Sequence, residues 1–563
     1  MNNKTTEYIK IFLKELFYVL FSGGRYFYIW MSSLTLFAAA GVWFYLRQFD
    51  EGLVFTNMRE QVSWGLYISN FTFLVGIAAA AVILIIPAYL HHSKELKKIV
   101  VLGELLAVTA VTAALLFVFA DMGRPDRLWH AIPGIGTLNF PRSILAWDML
   151  VLNSYLFLNF FTALYIGAHR YFGLEPDKRI ALPLILISIP MAVGIHTVTA
   201  FVYNGLAARP FWNASILAPR FLASAFCSGP ALMIILFQVL RKFTDFKIES
   251  RAIFKIAEIM VYAMALNLFL MLTEVFKEYY SNTIHLAPMQ YLFTGLHGHH
   301  NLVPFIWTAI AFDVTAFFIF LVPWTRMNFK TLNLGCVLVF IGIWIEKGMG
   351  LIIPGFIPDA LGEIYEYTPS LHEGVISIGI WAVGCMLYTL FVRFIVAVDT
   401  GRLRHPSAPP IIHEEKETVT AQDIMTTRII SVKHDTPISR ISDILVSNRI
   451  SGVAVVDKEK KVIGVVSEED IIFKEIRNDP KLVERLGGTI LPETSKDRVF
   501  EGNIASDIMT SPAVTALEGT PLSELITAII TDKKTKRIII VDKEGHASGI
   551  VSMIDVVKAL EKV

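Results

Sequence analysis

Six titratable side chains stand in or beside runs that are otherwise apolar: Asp121, Arg124, Asp148, His196, Glu274 and Glu346. A charged or ionisable group in a stretch long enough to cross a bilayer is costly, so it marks function by default. The chemistry open to this set is proton handling. An imidazole beside carboxylates in a partly apolar pocket can take up and release protons, because burial and neighbours shift their proton affinities. Such a pocket suits a quinone, whose two carbonyls need hydrogen-bond partners and a route for two protons, and whose apolar tail needs a gap between helices. Each group also has a plainer use. Asp121 and Arg124 can close a helix end as an ion pair, and His196 can make a helix–helix contact. Glu346 can pair with Lys347 without any chemistry, and Glu274 can reach up to the interface. Glu104 and Asp313 lie away from the set. They either start a proton path or form local hydrogen-bonded pairs, the latter being the plainer reading.

These groups must be positioned by membrane helices. The 563 residues are 54% hydrophobic and 18% charged, with a mean hydropathy of +0.55, unlike an ordinary soluble domain. A bilayer core needs about 20 apolar residues at about 1.5 Å each. Ten runs satisfy this: Tyr26–Leu46, Leu66–Leu90, Ile99–Ala120, Ile144–Ala168, Ile180–Tyr203, Leu217–Leu240, Ile253–Val275, Leu302–Val322, Leu332–Ile353 and Gly374–Val396. The first is too long for the apolar part of a cleavable signal and is read as a membrane helix. Tyr8–Leu20, with Lys10, Lys14 and Glu15 among apolar residues, reads as an interfacial amphipathic helix. Lys and Arg gather at the N-terminus and after even-numbered spans, as at Lys94, Lys97, Lys98, Arg170, Arg241 and Lys242. That bias places both termini in the cytoplasm, with the chain in the cell's inner (cytoplasmic) membrane. Asp121, Asp148, His196, Glu274 and Glu346 then fall in the outer half of their spans.

Cys227, Cys336 and Cys385 are far apart in sequence and form no C-x-x-C pattern, so no iron–sulfur cluster or covalent c-type haem is expected. A b-type haem needs an axial His from each of two spans, and only His196 lies well inside one. Electrons reaching a quinone here must therefore come from, or go to, another subunit. His297-Gly298-His299-His300 has no carboxylate or Cys at ligand spacing, so no metal is assigned. The net charge of +1 leaves no nucleic-acid footprint.

After Val398 the character changes. Pro406, Pro409 and Pro410 stiffen a linker. Beyond it the sequence repeats itself. Asp423-Ile424-Met425-Thr426 recurs as Asp507-Ile508-Met509-Thr510, and Gly464-Val465-Val466-Ser467-Glu468-Glu469-Asp470 as Gly549-Ile550-Val551-Ser552-Met553-Ile554-Asp555. Strands are expected at Ser451–Asp457 and Arg537–Asp542, and helices near Ile438–Ser447 and Leu522–Thr531. The division expected is 1–25 N-terminal segment, 26–398 membrane domain, 399–418 linker, 419–475 first repeat, 476–502 connection and 503–563 second repeat. The fold class is an all-α polytopic membrane domain followed by a soluble α/β module.

The two repeats resemble a tandem pair of cystathionine β-synthase (CBS) domains. The resemblance implies adenine nucleotide (ATP or AMP) binding, with Ser467 and Ser552 on phosphate and Asp470 and Asp555 on ribose. The plainer alternative is that both strings only cap helices. A CBS pair of this kind can also dimerise. In the membrane part, His196-Thr197-Val198-Thr199-Ala200-Phe201, Arg209-Pro210-Phe211-Trp212, Asp121-Met122-Gly123-Arg124-Pro125 and the stretch from Ala218 through Arg220 to Pro230 resemble the polysulfide reductase-like (NrfD-type) subunits, in their ten-helix branch. That resemblance implies two antiparallel four-helix bundles plus extra helices, without haem. It implies exchangeable menaquinone or ubiquinone near the outer face. It also implies a ferredoxin-like iron–sulfur partner and a multihaem cytochrome c or molybdopterin subunit. His196, Asp121 and Arg124 carry over by motif position; Asp148, Glu274 and Glu346 are added on depth and chemistry. A CBS extension is not usual for that family. The function expected is a quinone-reactive subunit of a respiratory complex, tuned by nucleotide. The competing readings are a CBS-regulated transporter or channel, and a passive anchor for redox partners.

Overall fold

The computed structural model describes residues 3–90, 94–132, 134–359, 361–409, 419–427, 429–478, 502–531, 537–542 and 544–560. The chain forms two compact units, Met1–Ile411 and Ile412–Val563. Among the described residues of the first unit, ten helices are long and apolar enough to cross a membrane.

A short helix α1 (Asn3–Phe21) precedes them. The spans are α2 (Arg25–Glu51), α3 (Leu66–Tyr89), α4 (Lys94–Asp121), α5 (Ile144–Tyr171), α6 (Lys178–Asn204), α7 (Leu217–Phe243) and α8 (Ser250–Ser281). After a short helix α9 (Leu286–Phe293) come α10 (Val303–Leu321), α11 (Phe329–Lys347) and α12 (Leu371–Asp399). Helices α3 to α6 pack as one four-helix bundle, and α7, α8, α10 and α11 as a second. The bundles meet where α7 packs on α3 and α6. Helices α2 and α12 pair on the flank, with α12 also against α4.

Burial follows from side-chain pattern. Helices α3 and α4 are apolar all round, and 88% and 83% of their apolar windows are buried inside the protein; for α2 the figure is 11%, so its apolar surface faces outward. Helix α2 reaches α12 because Gly41 and Gly379 face each other: a Cβ on Gly41 would lie 2.7 Å from the Gly379 Cα. Helix α1 is packed on one side only. Phe12, Leu16 and Val19 rest on Tyr171, Ala397, Val398 and Leu403, while Leu13, Phe17 and Tyr18 are exposed. The Arg393 guanidinium donates to the Val19 carbonyl at the end of α1. The expected ninth run, Leu332–Ile353, is not one helix. It stops at Lys347, turns at Gly348 (φ −88°, ψ −104°) and resumes for a single turn, Met349–Ile352.

The second unit contains two copies of a three-stranded sheet. In the first, β1 (Ser431–Lys433) runs parallel to β2 (Gly452–Val456), which pairs antiparallel with β3 (Val462–Ser467). In the second, β4 (Thr515–Leu517), β5 (Arg537–Val541) and β6 (Ala547–Ser552) repeat that order. Helices α13 (Ile438–Asn448) and α14 (Glu468–Asn478) belong to the first copy, α15 (Leu522–Thr531) and α16 (Met553–Leu560) to the second. The entry turns are exchanged. Ala421 packs with Leu522, Ile538 and Val551, and Ala505 and Ile508 pack with Val453 and Val466. Gly549 and Gly464 leave the space that Met425 and Met509 fill. Neither repeat therefore completes its core alone.

Candidate functional site

The first buried polar group is a ladder along α6. His196, Thr199 and Tyr203 are spaced three and four residues apart, so they share one helix face. Thr199 Oγ1 donates to Asp148 Oδ1 of α5 at 2.6 Å. The Tyr203 hydroxyl lies 2.5 Å from Thr72 Oγ1 of α3. His196 Nδ1 lies 2.8 Å from the Ala192 carbonyl, and the ring sits beside the Gly76 backbone of α3. Asp148, His196, Thr199 and Tyr203 are all buried. Asp121, at the end of α4, faces the same space: it is an electrostatic neighbour of Tyr67, Tyr203 and Glu373, and Tyr203 also feels Asp148. Asp121 Oδ1 is buried and has no hydrogen-bond partner among the described residues. His196 lies seven residues below Tyr203, about 10 Å deeper at helical rise.

The second group is in the other bundle. Arg220 of α7 bridges Glu274 of α8 and Glu346 of α11. Lys347 Nζ lies 3.2 Å from Glu346 Oε1, and Asn267 Nδ2 donates to Glu346 Oε2 at 3.3 Å. Asp313 of α10 is an electrostatic neighbour of both Glu346 and Lys347. All six side chains are buried. The cavity beside them holds about 20 Å³, room for water but not for a quinone ring.

An aromatic layer joins the two groups. Tyr203 lies 5.5 Å from Trp212, 5.7 Å from Trp64 and 5.9 Å from Phe221, ring centre to ring centre. Lys347 Nζ is 6.0 Å from the Phe221 ring. Trp212 is anchored by its indole N–H, which donates to the Leu351 carbonyl at 2.9 Å.

The six residues expected to form one cluster thus fall into three places. Asp121, Asp148 and His196 belong to the first group, Glu274 and Glu346 to the second. Arg124 belongs to neither. Its side chain is 64% exposed and grips both oxygens of Asp126 at 2.9 and 2.8 Å, so no ion pair joins it to Asp121. That guanidinium holds the Asp126 carboxyl below its usual range. Glu274 does not reach the interface, because Arg220 holds it in the interior. Arg220 had no assigned role in the sequence reading, although an arginine within an apolar run was the available signal. Glu104 is buried near the opposite end of α4. Its electrostatic neighbours are Arg170, Tyr89 and Tyr155, and Arg170 pairs with Asp399 at 2.8 Å. The tract at His297–His300 does gain a carboxylate, from a distant part of the chain: Glu366 lies 3.3 Å from His299 Nδ1. It also accepts from the Asn301 N–H at 2.9 Å.

In the second unit both serine–aspartate strings cap helices. Ser467 Oγ donates to Asp470 Oδ2 at 2.6 Å, and Ser552 Oγ to Asp555 Oδ2 at 2.5 Å, each aspartate also accepting from the serine N–H. Their surroundings differ. Asp470 is 4% exposed, whereas Ser552 and Asp555 line a cavity of about 600 Å³. Among the described residues three side chains of metal-binding type converge on the β5–β6 turn: Asp542, Glu544 and His546. Asp542 there accepts from the backbone N–H groups of His546 and Glu544 and is held below the usual carboxylate range.

Residues 54–358 match the family described as polysulphide reductase, NrfD, and residues 421–476 and 505–562 match the CBS domain. The first range contains every group of the membrane ladder and of the Arg220 cluster. A putative dimethyl sulfoxide reductase membrane subunit of Halobacterium salinarum is 24% identical over 407 residues, 65% of this chain and 90% of the relative. A selenate reductase subunit of Mesobacillus selenatarsenatis is 24% identical over 431 residues, 68% of this chain and 98% of the relative. An Hdr-like menaquinol oxidoreductase integral membrane subunit of Archaeoglobus fulgidus is 23% identical over 374 residues, 64% and 90% of the two chains.

Proposed function

This chain belongs to the polysulphide reductase NrfD family and carries a pair of CBS domains, and from that premise we propose that it is the quinone-reactive membrane subunit of a multi-subunit respiratory oxidoreductase, tuned by adenine nucleotide. The observation that carries the reading is the α6 ladder: one buried helix face that sets His196, the Thr199–Asp148 pair and Tyr203 in a row, with Asp121 at its outer end. A quinone head group beside this face meets donors and acceptors at two depths. Interconversion of quinol and quinone moves two electrons and two protons. Asp148 and His196 are the groups placed to exchange protons with the quinone oxygens, and Asp121 to pass them on toward the face opposite the termini. The electrons pass to or from a separate iron–sulfur or cytochrome subunit docked on that face. A menaquinol oxidoreductase subunit and two reductase subunits among the relatives support this class of reaction.

We leave the buried Arg220 group out of the quinone-reactive set, because its carboxylates are bonded to cations. Glu274 and Glu346 are charge-balanced there by Arg220 and Lys347, and they adjust the charge next to the aromatic layer. The CBS pair is the regulatory input. In the first unit, the segment after α12 is seated on the membrane domain: Leu403 is fully buried, and the His405 N–H donates to the Tyr171 carbonyl at 3.0 Å. Both lie on the path from the CBS pair to α12.

The test is quinol turnover by the purified complex carrying Asp148→Asn or His196→Ala. Loss of general acid–base function costs about 10²–10⁴-fold, so turnover should fall at least tenfold with subunit assembly intact. Unchanged turnover in both variants would make the chain a passive anchor. Ion flux through the isolated chain in liposomes, with no redox partner, would make it a transporter.

A further inference from the structure

The two repeats have the same motif and the same cap, yet they differ at positions beside the caps. The strand registers align them: Gly452 stands opposite Ser467, and Arg537 opposite Ser552. Glycine in the first repeat is thus arginine in the second. Asp470 and Asp555 are equivalent, and one turn further on Lys474 corresponds to Ala559. Lys474 is buried. Its ammonium is given to the Gly502 carbonyl and, at 2.8 Å, to Asn503 Oδ1. It therefore ties the chain entering the second repeat onto α14, whose first turn holds Asp470, and Asp470 is 4% exposed. Ala559 makes no such tie. Ser552 and Asp555 open onto the 600 Å³ cavity, within the usual range of about 300–1,000 Å³ for a small-molecule pocket.

The same cavity contains two guanidinium groups. Arg449 ends α13 in the left-handed conformation (φ 53°), and Arg537 starts β5. Arg537 reaches across to the first repeat because Gly452 has no side chain: a Cβ there would lie 3.1 Å from Arg537 Nη1. Among the described residues neither arginine is ion-paired. Glu468, also lining the cavity, is the other carboxylate there besides Asp555. The rest of the lining offers isoleucines, including Ile429, Ile450 and Ile554, for a flat apolar base. Two planar forks suit two phosphates, since each can bind phosphate oxygens bidentately.

We infer that the pair holds one adenine nucleotide per chain, at the Ser552–Asp555 side, and that Arg449 and Arg537 make it prefer nucleotides with more than one phosphate. This rests on the reading that the CBS pair binds adenine nucleotide and specifies which site and which ligand class. The sequence motif alone makes both sites equal; the Lys474 tie and the Gly452–Arg537 exchange make them unequal.

The experiment is isothermal titration calorimetry on the full chain in lipid nanodiscs, with AMP, ADP and ATP as separate titrants. The expected result is one site per chain, with ADP and ATP at least tenfold tighter than AMP. Arg537→Ala should bring ADP down to the AMP level while changing AMP less than threefold. Asp555→Asn should abolish binding. Asp470→Asn, which alters the matching cap in the first repeat, should leave it unchanged and so controls for folding. Two sites per chain, equal loss in Asp470→Asn and Asp555→Asn, or AMP binding as tightly as ADP would overturn the inference while leaving the nucleotide-regulated reading in place. No binding of any of the three to the unsubstituted chain would overturn both.

Discussion

Arg220→Met is the most informative single change in the membrane domain. Among the described residues Arg220 is the only cation bonded to Glu274, whereas Glu346 keeps Lys347 and Asn267 when Arg220 is gone. Apart from Asp313, the group passes from two cations and two anions to one cation and two anions. Removing one partner of a buried ion pair costs about 3–5 kcal/mol. The lower end of that range, about 3 kcal/mol, is expected. Adding Glu274→Gln removes the uncompensated charge. The double variant should therefore be more stable than the sum of the single effects by about 2 kcal/mol. The assay is equilibrium unfolding of the purified chain in mixed micelles titrated with sodium dodecyl sulfate, followed by tryptophan fluorescence. Arg220→Met within about 0.5 kcal/mol of the parent, or strict additivity in the double variant, would refute the charge-balance reasoning. Methionine fills much of the arginine volume, so a packing defect is a small part of the effect.

Truncation after His405 should remove any response of quinol turnover to added nucleotide but leave the basal rate, because Leu403 and His405 remain seated on the membrane domain; turnover assays with and without ATP check this, and a basal rate lost with the truncation counts against it. Leu403→Ala in the full chain should cost about 2–4 kcal/mol in the same micelle unfolding assay, as for other fully buried leucines. Gly41→Val should push α2 off α12, since its Cβ meets backbone and not a movable side chain. A cost of about 2 kcal/mol or more is expected, visible as faster proteolysis in the loop between α2 and α3, and unchanged proteolysis would show that the helices can slide apart freely.

The helices were legible because the bilayer imposes one length and one composition on every span. The limits of α5, α7 and α12 were placed within a few residues. The break after Lys347 was not legible. Residues 332–353 have the apolar run of a continuous helix, and nothing local separates Gly348 from glycines that helices tolerate, such as Gly335 or Gly342. In the second unit the repeat revealed two equal modules, and two of the six strands, β2 and β5, were legible in their apolar runs. It could not show that each Asp-Ile-Met turn completes the core of the other copy. That exchange depends on Met425 meeting Gly549 and Met509 meeting Gly464, pairs more than 40 residues apart.

The buried polar side chains of the membrane domain were legible as a set of residues but not as a geometry. Depth alone groups His196, Asp148 and Asp121 with Glu274 and Glu346, because all lie toward one face. Depth says nothing about which bundle a side chain enters. That is decided by helix rotation, which follows from residues such as Thr199 and Tyr203, polar side chains too ordinary to stand out. The spacing of His196, Thr199 and Tyr203 was in the sequence, and so was Arg220 at the start of the seventh helix. What separates the two groups is that Arg220 can satisfy two carboxylates at once, and a sequence does not show which two. Once Arg220 takes Glu274 and Glu346, their charges are spent on each other. The α6 face differs: there Asp148 is held by a neutral hydroxyl and His196 by a backbone carbonyl. Neither partner is an ion, which is the ground for proposing proton exchange on the α6 face and not at the Arg220 group.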